Sequence, residues 1–70
     1  MRGRTERKKQ ETRERIIRVA MQLFNSQGFA RTTMEQIAEA SDVARKTLYN
    51  HFPVKEAIVD GYVRGISEGL

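Results

Sequence analysis

Between Ala44 and His51 the sequence reads Ala-Arg-Lys-Thr-Leu-Tyr-Asn-His, a run of hydrogen-bonding side chains around one large aliphatic residue. Taken as a helix at about 100° per residue, a buried Leu48 turns Lys46 and Asn50 almost directly outward and leaves Thr47 and Tyr49 on the two flanks. Such a rod is roughly 12 Å long, and the major groove of B-DNA, about 12 Å wide, accepts it. The outward side chains then meet base edges and the flanking ones meet the phosphate ridges. Arg45 belongs to the first turn, and its fork can bind one guanine bidentately, a contact worth roughly 1–3 kcal/mol of base discrimination. Lys46 is a point charge suited to a base or a phosphate, and Asn50 suits adenine N6 and N7. His51 is the single histidine and has no second ligand type at metal spacing, which argues against a metal site. Its place after the reading helix favours a phosphate donor over a buried structural histidine.

These side chains need a rigid partner element. Ile37 and Ala38 lie on the inner face of a preceding short helix, and Val43 and Leu48 fall where the second helix packs back on it. Two helices crossing at close range tolerate only a small side chain at the crossing point, which Ala38 supplies. Ile-Ala, then Val43, then Leu48 is a helix-turn-helix spacing, with Ser41-Asp42 as the turn. Asp42 also sits favourably near the positive end of the reading helix. The residues themselves therefore point to a DNA-binding module with double-stranded DNA as partner.

A first helix is expected from about Glu11 to Gln27, where Ile16, Ile17, Ala20, Leu23 and Phe24 recur at helical spacing. Gly28 is placed as its left-handed terminator, with Phe29 where a hydrophobic contact closes such an end. Arg13, Arg15 and Arg18 on its outer faces read equally as solvated side chains or as DNA contacts. Thr33 and Gln36 form a capping box for the second helix, and Thr33 can also donate to a phosphate beside the free amides of that helix start. Glu35 and Glu39 read most simply as solvent-facing. Pro53 ends the third helix, because the residue before a proline is pushed out of the helical region. Lys55 opens a fourth helix, where its ammonium and the N-terminal amides can share one phosphate.

That fourth helix carries an apolar face wider than a small three-helix core can bury, with a strip of Gly61, Gly65 and Gly69. The strip permits close helix approach, or it marks a frayed and weakly helical tail, since each glycine costs up to about 1 kcal/mol of propensity. The chain divides as a basic flexible arm over 1–10, a helix-turn-helix domain over 11–53 and the start of a fourth helix over 54–70. It is expected to be an excised piece of a longer protein.

Seventy residues make one domain at most, near the lower limit for a stable single core. With no cysteine there is neither a disulfide framework nor a thiolate zinc site. No apolar run is long enough to span a membrane, so a cytoplasmic protein is expected. Residues 1–15 hold seven Lys or Arg against three Glu, an excess equal to the net charge of +4, while residues 16–70 hold six of each sign. All of the surplus charge is thus an N-terminal arm suited to an anionic surface. Arg2-Gly3-Arg4 is short enough to enter a narrow minor groove, or is simply drawn to phosphates. Scattered carboxylates give no paired acid and base and no activated nucleophile, so an enzyme is not expected, nor is a cofactor.

Thr32-Thr33-Met34, Ile37-Ala38-Glu39-Ala40, Val43, and above all Thr47-Leu48-Tyr49-Asn50-His51-Phe52-Pro53 followed by Lys55-Glu56-Ala57 resemble the N-terminal domain of tetracycline-repressor (TetR) family regulators. The resemblance runs from about Glu11 to Asp60. It implies an all-α, homeodomain-like three-helix bundle with the start of a fourth helix, whose third helix reads DNA. By matching position, Arg45, Lys46, Tyr49 and Asn50 face bases, and Thr33, Thr47, Tyr49, His51 and Lys55 hold phosphates. It also implies a repressor of a near-palindromic operator, located in the bacterial cytoplasm at the nucleoid and homodimeric at full length. A small-molecule effector acting through a C-terminal domain would release it, and this piece alone would be monomeric. Three positions depart from the family pattern. Asp42 stands where Gly is frequent, so the turn avoids positive φ or uses the tolerance of Asp for it. Lys46 replaces a residue that is often small, and Val54 replaces a frequent helix cap. The competing reading is a basic helical module that binds a protein or membrane surface, which leaves Thr47, Tyr49, Asn50 and His51 without a task.

Overall fold

The computed structural model describes the backbone of residues 3–69 and the side chains of residues 10–65. Among the described residues the elements are four helices: α1 Gly3–Gln27, α2 Met34–Ala40, α3 Arg45–His51 and α4 Lys55–Gly69. The longest, α1, packs on both α2 and α4, and α2 packs on α3. Ile16 and Ala20 of α1, Ile37 and Ala38 of α2, Leu48 of α3, Phe52 behind it and Ile58 of α4 are buried together. The all-α bundle with an added fourth helix is the expected architecture.

The start of α1 is not where apolar periodicity placed it. Helical backbone begins at Gly3, not near Glu11, so residues 3–10 continue the helix instead of forming an irregular arm. The physical reason is composition: Arg, Lys, Glu and Gln are good helix formers, and propagation from an existing helix needs no buried face. Arg2 lies outside the described residues, and Arg4 is within α1.

Both connections that shape the interface are closed by left-handed residues. Gly28 (φ 97) ends α1, its amide bonding the Phe24 carbonyl at 3.0 Å, and the Phe24 and Phe29 rings meet at 4.8 Å. Asp42 (φ 59) ends α2 and resolves the alternative at that position in favour of positive φ. Its amide donates to Glu39 O at 3.2 Å and the Val43 amide to Ala38 O at 3.0 Å, the paired bonds of a Schellman motif. The helix-turn-helix corner is therefore one helix cap running directly into the next element. Buried Ser41 adds a bond from its hydroxyl to the Ile37 carbonyl at 2.5 Å.

The fourth helix approaches α1 at Gly61. A Cβ placed there would sit 3.3 Å from Phe52 Cε1, 3.1 Å from Arg13 Nη2 and 3.4 Å from Ile17 Cδ1, so only glycine fits without displacement. At Gly65 nothing lies within 4 Å, so close approach is a property of one position and not of the whole strip. The surplus apolar surface of α4 remains outward: Tyr62 is 41% and Val63 56% exposed.

Candidate nucleic-acid interface

The sequence of α3 fixes its orientation. Leu48 is fully buried, Phe52 is buried just past the helix end, and the residue before Pro53 is extended (φ −140, ψ 109), which stops the helix at His51. With Leu48 inward, Arg45, Lys46, Tyr49 and Asn50 form one exposed stripe, and Thr47 and His51 lie half-buried along its edge. The structure thus brings the four expected base-facing residues together on one surface. Tyr49 is 46% exposed and belongs to that stripe.

The residues expected to hold phosphates come from three elements. Thr33 caps α2 as its hydroxyl oxygen accepts from the Gln36 amide at 3.0 Å, while the Gln36 side chain accepts from the Thr33 amide at 3.0 Å. As an acceptor in the capping box, the Thr33 hydroxyl keeps its own proton to donate. Gln27 donates to the same Gln36 oxygen at 2.8 Å, which ties the end of α1 to the start of α2. Buried Thr32 braces the loop by donating to the Gly28 carbonyl at 2.8 Å. At the far side, Lys55 donates to the Phe29 carbonyl at 2.7 Å and lies over the Phe29 ring at 4.4 Å. Its ammonium is therefore already fixed against the loop between α1 and α2, with two N–H donors left for another acceptor. His51 stacks loosely near Phe52, ring centroids 6.2 Å apart.

Several of these ties were not readable from local sequence. Of the α1 arginines given two readings, Arg15 donates through Nε to the Ser41 carbonyl at 3.0 Å, and Arg13 lies over the Phe52 ring at 5.0 Å. Both are braces: one holds α1 to the α2 end, the other covers the core beneath α4. Glu35 is not simply solvated, since its carboxylate pairs with Arg45 Nη2 at 3.3 Å. Each of these contacts joins an exposed charged side chain to a residue ten or more positions away, where no periodic pattern marks the partner.

A family model described as bacterial regulatory proteins of the tetR family matches residues 16–62, which span α2, the turn and α3 entire. The chain belongs to the tetR family. It is 42% identical over 68 residues to the HTH-type transcriptional regulator TcmR of Streptomyces glaucescens, covering 97% of this chain and 30% of that protein. It is 40% identical over 65 residues to the HTH-type transcriptional regulator TtgR of Pseudomonas putida, covering 93% and 31%. Among solved structures, Thermus thermophilus FadR, a TetR family transcriptional repressor in complex with lauroyl-CoA, is similar at 46% identity and a TM-score of 0.74. That match covers 81% of this chain and 29% of the FadR chain. This tetR family chain thus spans about 30% of the length of the relatives it matches.

Proposed function

We propose that this chain is the sequence-specific DNA-reading part of a transcriptional repressor. In this reading α3 lies in the major groove, with Arg45, Lys46, Tyr49 and Asn50 toward base edges. Thr33, Thr47, Tyr49, His51 and Lys55 hold the phosphates on either side, and the positive charges of Arg2 and Arg4 add attraction to the minor groove or to the phosphates flanking it. The observation that carries the reading is the exposed polar stripe on a short helix whose opposite face is locked by Leu48. At about 10 Å long, α3 fits a groove about 12 Å wide. A stripe of Arg, Lys, Tyr and Asn supplies both donors and acceptors, which base edges require and a uniform anionic surface does not.

In a protein of the relatives' length, two such units would sit about 34–36 Å apart on a near-palindromic operator as a homodimer and exclude polymerase. A small molecule held by a further domain would change that separation and release the DNA. The site of action is the bacterial cytoplasm, at the nucleoid, and no enzymatic step is involved. A second reading, docking to a protein or membrane surface, draws on exposed Tyr62 and Val63. Among the described residues no helix is long and apolar enough to cross a membrane.

The test uses a duplex enriched by the chain from a randomised pool, against a scrambled duplex of the same composition. Asn50→Ala should lower affinity for the enriched duplex at least about fivefold, the loss of one bidentate base contact, and leave the scrambled duplex nearly unaffected. Unchanged affinity for both would remove Asn50 from the reading surface and favour the docking alternative.

A further inference from the structure

The pair between Glu35 and Arg45 gives α2 a part in base recognition. Counted at about 100° per residue, Arg45 lies roughly 60° from buried Leu48 and roughly 120° from the outward line of Lys46 and Asn50. Its backbone thus faces the corner between α2 and α3, and its long side chain has to run along that corner to reach solvent. Glu35, in the first turn of α2, meets it there at 3.3 Å, with the two side chains 64% and 67% exposed. The first turn of α3 contains no acidic residue, so the partner comes from the neighbouring helix. The contact engages Nη2, and a guanidinium carries five N–H donors in a planar fork. A carboxylate on one edge leaves the other edge for a base and fixes the plane in which that edge points.

We propose that Glu35 is a positioning residue that sets the base specificity of Arg45. The inference rests on α3 lying in the major groove. Held by Glu35, the Arg45 fork meets guanine O6 and N7 with part of its rotamer freedom already removed. An unheld Arg45 is free to swing to whichever phosphate is nearest, on any sequence. The Glu35 charge also opposes the DNA polyanion everywhere, a cost that a correctly placed guanine contact offsets and a scrambled sequence does not. The pair sits in open water and adds little to folding, so its removal should leave the fold intact.

The experiment compares wild type, Glu35→Gln, Arg45→Ala and the double variant on the enriched and scrambled duplexes. It is paired with a fresh selection from the randomised pool by Glu35→Gln. Glu35→Gln should reduce the preference for the enriched over the scrambled duplex about five- to tenfold, as one base contact relaxes. The fresh selection should lose its preference at a single base step. In the Arg45→Ala background the same change should leave the preference unaltered, and the urea midpoint should match wild type. Equal tightening on both duplexes, with the selected sequence unchanged, would make Glu35 a repulsive charge only and overturn the inference. The same result follows if Glu35→Gln lowers the preference equally with and without Arg45. A wild-type chain that enriches no sequence at all would instead sink the groove assignment, and this inference with it.

Discussion

Lys55 holds the loop between α1 and α2 with one N–H, on the Phe29 carbonyl at 2.7 Å, and keeps two for an acceptor outside the fold. A lysine tethered in this way surrenders less rotamer freedom on binding a phosphate than a solvated one, because that ordering has already occurred on folding. Lys55→Met keeps the stem and removes the charge. It should weaken binding to enriched and scrambled duplexes alike and lower the slope of log affinity against log salt by about 0.9, as one phosphate contact disappears. Its effect on stability should stay within about 1 kcal/mol, the scale of a surface cation–π contact, read from urea unfolding. A loss confined to the enriched duplex would instead make Lys55 a base contact. The outward placement of Arg45, Lys46, Tyr49 and Asn50 was legible in the sequence, because a helix with one buried residue per turn determines which side chains face out. What Glu35, Arg13 and Arg15 do was not, since their partners lie ten or more residues along the chain, outside any local pattern.

Among the elements, the corner between α2 and α3 and the crossing of α1 with α4 carry the architecture. The corner depends on Asp42 at φ 59, a conformation that costs a residue with a Cβ and that glycine adopts freely. Asp42→Gly should therefore raise stability by up to about 1 kcal/mol in urea unfolding, and a loss would mean that the Asp42 carboxylate itself holds the turn. At the crossing, Gly61→Ala and Gly65→Ala should have opposite signs. The first inserts a methyl 3.3 Å from the Phe52 ring, and overpacking of about 1–3 kcal/mol outweighs the propensity gain. The second meets nothing within 4 Å and should stabilise by about 0.5–1 kcal/mol. Thermal unfolding of the two variants checks both; equal effects would mean that the α1 and α4 approach is loose. Features written in neighbouring residues, such as the Thr33 and Gln36 capping box and the stop at Pro53, could be read directly from sequence. The early start of α1 could not, because apolar periodicity reports a buried face, whereas residues 3–10 depend on helix propensity alone.

At the scale of the whole molecule, the body measures 41 × 30 × 17 Å, and residues 1–15 contain the surplus positive charge. In the proposed function the exposed stripe on α3 contributes specificity, while the basic N-terminal residues contribute attraction that any duplex would feel. Separating these two contributions tests the DNA-reading role of α3 most directly. The measurement is a titration of 15N-labelled chain with the enriched and the scrambled duplex, each at two salt concentrations. Amides of Thr33, Arg45 to His51 and Lys55 should shift more with the enriched duplex, and less as salt rises. Shifts confined to residues 3–9 and equal for both duplexes would contradict that role, leaving a basic helix on an interaction module and no reader in α3.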